Sequence, residues 1–293
     1  MNILILANKD IASNLALNCL LPRLHQHDVA VYLSSSVGGS AQRPHDLETL
    51  QFFEQSLFNE LLFPMLSEPE CGRQQQLLNF EALGRLIGQP MMEENAINSA
   101  SSLARIESLQ PDLIVSIRYG GILKPELIAV PVQGVINLHS GVLPAYRGVM
   151  ATFWAMLNGD DEIGTTLHYI SDASIDTGRI ISTTFAAVDK TKSYLWHVLS
   201  LYPQGCERIL ETIKTIAASE AVPTTPQTGS GQYFTFPTVT SLNEFRAMGW
   251  KLFDAHEMLA LTAQYHSPLY QQNNANGENP SSRLNKHKKE FCL

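Results

Sequence analysis

The sequence predicts a doubly wound α/β fold: a mostly parallel, Rossmann-like sheet with helices on both faces and a small C-terminal appendage. Two patterns point there. Short, nearly continuous apolar runs recur along the first two thirds of the chain, and segments of helical period separate them. Strands that are apolar on both faces belong in a parallel sheet covered on both sides. The size agrees, since 293 residues of which 44% are apolar types can bury a sizeable core.

Residues 3–6 form the first apolar run, and Leu15, Leu17, Leu20, Leu21 and Leu24 follow at spacings that suit a helix. Residues 29–33, 112–117 and 134–139 are further runs bounded by polar or turn-forming residues, and helices are expected over 46–62 and 96–108. The turn at 7–13 has no glycine, so neither a dinucleotide fingerprint nor a phosphate loop is available. A nicotinamide-dependent dehydrogenase and a P-loop enzyme are therefore disfavoured. Residues 163–170 and 179–188 are β-rich around a tight Asp/Ser/Gly loop, which predicts a hairpin or adjacent strands, and a long helix is expected over 193–218. Pro223, Pro226, Gly229 and Gly231 read as a linker, 233–237 as an aromatic strand, and Ser241 with Glu244 as a capping box that starts a helix.

Charge and cysteine usage narrow the partners. Twenty basic residues against 28 acidic ones give a net charge of −8, which argues against a nucleic-acid partner. Cys19, Cys71, Cys206 and Cys292 form no CxxC pair, as expected for a reducing cytoplasm. The opening apolar run meets Lys9 and Asp10 too early for a signal peptide, and no run approaches the roughly 18 apolar residues of a membrane span. His25 and His27 lack the spacing of a helical zinc pair, and no metal is expected.

Chemistry concentrates in residues 137–148. Asn137 and His139 are alternate residues at the carboxyl end of a predicted strand, so their side chains share one face. In open α/β sheets that edge binds ligands. An amide donor beside an imidazole suits acyl transfer, where a carbonyl oxygen gains charge and a proton must move. Asp176, in the later turn Asp176-Thr177-Gly178, would orient His139.

Asn137-x-His139, Leu143-Pro144 and Arg147-Gly148, followed 37 positions after the histidine by Asp176-Thr177-Gly178, resemble the signature of the folate-dependent formyltransferases. That family includes glycinamide ribonucleotide transformylase, methionyl-tRNA formyltransferase, amino-sugar N-formyltransferases and hydroxyornithine transformylases. The resemblance is clear over 110–190, with Trp154, Gly159 and Gly164 in place, weaker over 1–110 and faint after 220. It implies transfer of a formyl group from 10-formyltetrahydrofolate to an amine through a tetrahedral intermediate. Asn137 would bond the formyl oxygen, His139 would stabilise the oxyanion and shuttle protons, and Asp176 would pair with His139. It also implies a pteridine slot lined by 119–123 and 171–176, which makes Tyr119, Gly121, Ile122, Leu123 and Asp172 the donor-binding residues. Ser174 stands where the family commonly has glycine, in an approach to Asp176 that is one residue longer.

The implied division is a catalytic domain over 1–218, a small α/β appendage over 219–268, and a polar, disordered tail over 269–293. The expected acceptor is a small-molecule amine, either a nucleotide-linked amino sugar or N-hydroxyornithine. A methionyl-tRNA formyltransferase would carry a larger basic C-terminal domain, and a formyltetrahydrofolate deformylase would place a regulatory domain before the strand that here starts at Asn2. A non-catalytic folate binder has no use for an oxyanion donor beside a proton carrier. Outside the motifs, Arg118 and Tyr119 read equally as substrate contacts or a solvent-facing turn. Arg147 and His168 read as structural, and His197 as a surface residue. Phe153, Trp154, Met156 and Leu157 read as a buried helix face, and 286–289 as a solvated basic run. The strand near 232–237 is expected either to pair across a homodimer axis or to fold back on its own subunit.

Overall fold

The computed structural model describes residues 1–35, 43–65, 77–229 and 231–265. Strands β1 (Asn2–Asn8), β2 (Asp28–Ser34), β3 (Met92–Glu93), β4 (Leu113–Ile117) and β5 (Val135–His139) pair in parallel. A short β6 (Tyr146–Gly148) leads on to β7 (Glu162–Ile170) and β8 (Ile180–Ala187), which close the sheet as an antiparallel pair, so its order is β3-β2-β1-β4-β5-β7-β8. This is the predicted fold class, hairpin included.

Alternation along β1 shows why both faces are covered. Ile3, Ile5 and Ala7 enter one apolar cluster while Leu4 and Leu6 enter another on the opposite face. Helix α1 (Ile11–Leu20) begins at Asp10, whose carboxylate accepts a hydrogen bond from the Ser13 amide at 2.7 Å. The helix expected over 46–62 is not uniform: α2 (His45–Gln51) widens into a π-helix (Phe52–Leu62) that ends in the single turn α3 (Phe63–Met65). Such i→i+5 stretches recur beside functional sites. Then come α4 (Phe80–Leu86), α5 (Ala100–Leu109), the short α6 (Pro125–Ile128), α7 (Ala151–Asn158) and the long α8 (Tyr194–Ala217).

Strand β9 (Gln232–Phe234) pairs in parallel with β6 of the same chain. Its Phe234 ring lies between Tyr146 and Trp154, with ring centroids at 5.6 Å and 5.0 Å. Helix α9 (Val239–Ala247) starts earlier than expected. Thr238 caps it by accepting from the Ser241 amide, so Ser241 stands at the third helical position and not at the cap. Buried Phe245, and Met258, Leu261 and Tyr265 of α10 (Ala255–Tyr265), join the same apolar cluster as the main sheet. The expected disordered tail at 269–293, the basic run at 286–289, Cys71 and Cys292 lie outside the described residues.

Strand order reverses around β1, which has β2 on one side and β4 on the other. The connections leaving β1 and β4 therefore diverge, opening a crevice at the carboxyl ends of the strands. No helix among the described residues is long and apolar enough to cross a membrane.

Candidate active site

A cavity of about 380 Å³ fills that crevice, and the eight residues expected to act on or bind the donor all line it: Asn137, His139, Asp176, Tyr119, Gly121, Ile122, Leu123 and Asp172. Strand β5 presents Asn137 and His139 on one face, as their alternation requires. Asp176 arrives from the loop after β7 with a left-handed backbone, φ +55°. That turn is held from three sides. Gly178 packs so closely under β7 that a Cβ would lie 1.7 Å from the Tyr169 carbonyl oxygen, which restricts the position to glycine. Gln227 Nε2 donates to the carbonyls of Asp176 and Gly178 at 2.9 Å and 2.8 Å. Arg147 in turn donates to Gln227 Oε1 at 2.8 Å, so its role is to brace this loop, in line with the structural reading.

Asp176 is the hub. The Gly148 amide donates to Oδ2 at 2.8 Å, His139 Nδ1 stands 3.5 Å from Oδ2, and His168 Nε2 stands 3.4 Å from Oδ1. Burial pushes this carboxyl up, but the two imidazoles and the Gly148 amide together outweigh burial and hold it at about 2.

Fixed acceptors set the tautomers. The Tyr146 carbonyl lies 2.7 Å from His139 Nε2 and can only accept, so Nε2 carries a hydrogen. The basic nitrogen of the neutral ring is then Nδ1, which faces Asp176. In His168 the Tyr169 carbonyl, 2.9 Å away, places the hydrogen on Nδ1. Nε2 of the neutral ring accepts from the Asn137 amide at 3.1 Å, which leaves the second amide hydrogen of Asn137 for a ligand.

Three readings from sequence change here. His168 is not merely structural: it is buried in β7 directly opposite Asn137, at a register shift in the β7/β8 ladder. The signal lay in register, because an antiparallel β5/β7 pair puts the two residues side by side on one face. Arg118 is neither a solvent-facing turn nor a free contact. Its φ of +56° turns the side chain inward, where Nε donates to Asp10 Oδ2 at 2.7 Å and a terminal nitrogen reaches Glu54 Oε1 at 3.3 Å. His197 is buried, not on the surface, with Nδ1 2.7 Å from the Ser193 carbonyl and Nε2 accepting from the Asp189 amide at 3.0 Å. Burial pushes its pKa down.

The loops expected to hold the formyl donor face one another across the cavity. Tyr119 is pinned by its hydroxyl, which donates to the Glu94 carbonyl at 2.6 Å, and Leu123 is buried. Gly121, Ile122 and Asp172 form the exposed rim. Asp172 accepts from the Ser174 amide at 2.7 Å, which absorbs the longer approach to Asp176 into a local turn. Phe153 and Met156 are fully buried, with Trp154 and Leu157 partly so, as a helix face.

Residues 66–195 match the family model for formyl transferases. A methionyl-tRNA formyltransferase of Citrifermentans bemidjiense is 34% identical over 171 residues, which cover 56% of this chain and 52% of that protein. The chain thus spans about half the length of the curated relatives it matches. Among solved structures, a sugar N-formyltransferase from Shewanella sp FDAARGOS_354 superposes with a TM-score of 0.52 at 14% identity, covering 83% of this chain and 86% of its own. WlaRD, a sugar 3N-formyl transferase solved in the presence of dTDP and 5-N-formyl-THF, gives 0.52 at 18% identity, covering 80% and 69%. At such identities the structures speak to fold alone; the fold matches, and residues 66–195 are similar to the formyl transferases.

Proposed function

We propose that this chain transfers a formyl group from 10-formyltetrahydrofolate to the amine of a small-molecule acceptor. The observation that carries the reading is the Asp176 carboxylate set between His139 and His168, beside the Asn137 amide, in one cavity. The donor supplies an activated formyl carbon next to these groups, and the loops 119–123 and 171–176 are the walls suited to holding it. As the amine nitrogen bonds that carbon, negative charge collects on the formyl oxygen, and the unused Asn137 amide hydrogen is there to receive it. A donor of this kind contributes roughly 3–4 kcal/mol to such a step. The proton shed by the amine has an acceptor in His139 Nδ1, and the charge it brings falls against Asp176. Proton delivery to the departing donor nitrogen completes the exchange of one C–N bond for another.

Methionyl-tRNA as acceptor is the second reading, favoured by the relative from C. bemidjiense and opposed by the net charge of −8. The test is spectrophotometric detection of tetrahydrofolate released from 10-formyltetrahydrofolate, with small amines, methionyl-tRNA or water alone as acceptor. Turnover with a small amine is expected, falling about 10²–10³-fold in Asn137→Ala and His139→Ala while donor binding persists. Release in water alone would make the chain a hydrolase. Donor binding without release under any condition would make it a binder and end the transferase reading.

A further inference from the structure

We propose that Gln227, in the segment between α8 and β9, is a positioning residue for the reaction: it locks the turn that presents Asp176 to His139 and His168, and so makes the C-terminal appendage part of the active site. The assignment rests on the formyl-transfer reading, which gives those side chains a proton and a charge to handle. Gln227 lies beyond residues 66–195, where the chain matches the family model.

The turn needs holding because Asp176 sits at φ +55°, in the left-handed region that residues other than glycine rarely enter. The segment 224–227 runs beside it as a seam. Thr225 and Ile180 exchange two backbone hydrogen bonds of 2.8 Å, and Arg179 donates to the hydroxyl and the carbonyl of Thr224 at 2.7 Å and 3.0 Å. Gln227 closes the seam on the carbonyls of Asp176 and Gly178.

Arg147 can only donate, and the two backbone carbonyls can only accept. The Gln227 amide therefore has one orientation, with Oε1 towards Arg147 and both Nε2 hydrogens towards the turn. Without those two bonds Asp176 can relax into the ordinary right-handed region, which carries its carboxylate off both imidazoles. The appendage braces the opposite side as well. The Phe234 carbonyl in β9 accepts from the Val149 amide at 2.9 Å, next to Gly148, whose own amide donates to Asp176 at 2.8 Å.

The test compares two variants of the full chain. Gln227→Glu keeps the length and an acceptor for Arg147 but, at neutral pH, faces the turn with oxygens that cannot donate; Gln227→Met keeps the length and removes both functions. With 10-formyltetrahydrofolate and either N-hydroxyornithine or a dTDP-linked amino sugar, kcat should fall about 10- to 100-fold in both. Gln227→Asn, which keeps the amide on a shorter stem, should recover part of the loss. A second readout needs no turnover and uses Gln227→Met. The groups facing Asp176 are His139 from β5, His168 from β7 and the Gly148 amide from β6, with Arg147 behind Gln227. In carboxyl NMR titrations the Asp176 pKa should rise from about 2 towards 3.8 as the carboxylate leaves the imidazoles. The charge of Arg147 acts in the opposite direction, so a rise reports movement of the carboxylate. Wild-type kcat in Gln227→Glu would make Gln227 only a seat for Arg147, and an Asp176 pKa that stays at about 2 in Gln227→Met would mean that the turn holds itself; either overturns the proposal. A wild-type chain that releases no tetrahydrofolate, with the Asp176 pKa raised in Gln227→Met, would sink formyl transfer and leave the clamp standing. Equal turnover in the wild type and both variants would do the reverse.

Discussion

The two ends of the cavity invert one another. At one end a carboxylate, Asp176, stands between two imidazoles; at the other a guanidinium, Arg118, stands between two carboxylates. Each imidazole nitrogen facing Asp176 can carry or release a hydrogen, which is the property the proposed proton transfer uses at the first end. A guanidinium keeps its charge, so the second end is built to hold charge still. The two ends of one crevice thus differ in the charge each holds at its centre, a carboxylate at one and a guanidinium at the other.

The largest effect that would test this contrast is on stability. Arg118→Met leaves buried Asp10 without its guanidinium and Glu54 with only the field of Arg43, and about 3–5 kcal/mol of unfolding free energy should be lost in urea titrations. A loss under about 1 kcal/mol would mean that water already screens this end, and the contrast would fail.

The next effect belongs to Asp176. Its pKa is depressed to about 2 from the 3.8 of an ordinary aspartate, so it stabilises the fold fully above pH 3.8 and ceases to do so as pH falls through 2. The contribution is about 2 kcal/mol. Asp176→Asn should lose that amount at neutral pH and show a flatter acid limb between those values; equal acid limbs in both proteins would exclude Asp176 as the hub. His197 works in another window. Burial lowers its pKa from 6.5, so the unfolded chain binds more protons just below that value and stability declines there in both proteins alike.

The smallest effect sharpens the chemical end. His168→Gln keeps a polar group opposite Asn137 but withdraws one imidazole from Asp176, and kcat should fall about tenfold with little change in donor binding. An unchanged kcat would return His168 to a structural role.

Much of the chemical end was legible because its parts are local. Alternation on one strand puts Asn137 and His139 on the same face, and Asp176 comes with a turn whose glycine announces a tight approach. His168 escaped because an isolated histidine in a strand looks structural until its neighbour strand and register are known. The Arg118 end was harder to read: the sequence left Arg118 between a substrate contact and a solvent-facing turn, because Asp10, Glu54 and Arg118 lie far apart in sequence and are carried by a helix cap, a π-helix and a left-handed strand end.

The sequence by itself therefore determined the fold class, the edge of the sheet that would carry the chemistry and three of the four polar groups there. It could do so because period-two alternation and turn residues are short-range properties of the chain. Only the tertiary structure decided that His168 joins Asp176, that β9 returns to β6 and that Arg118 turns inward to a buried pair of carboxylates. Those outcomes depend on strand register and on the reversal of strand order at β1, which bring distant segments together and leave no local pattern to read.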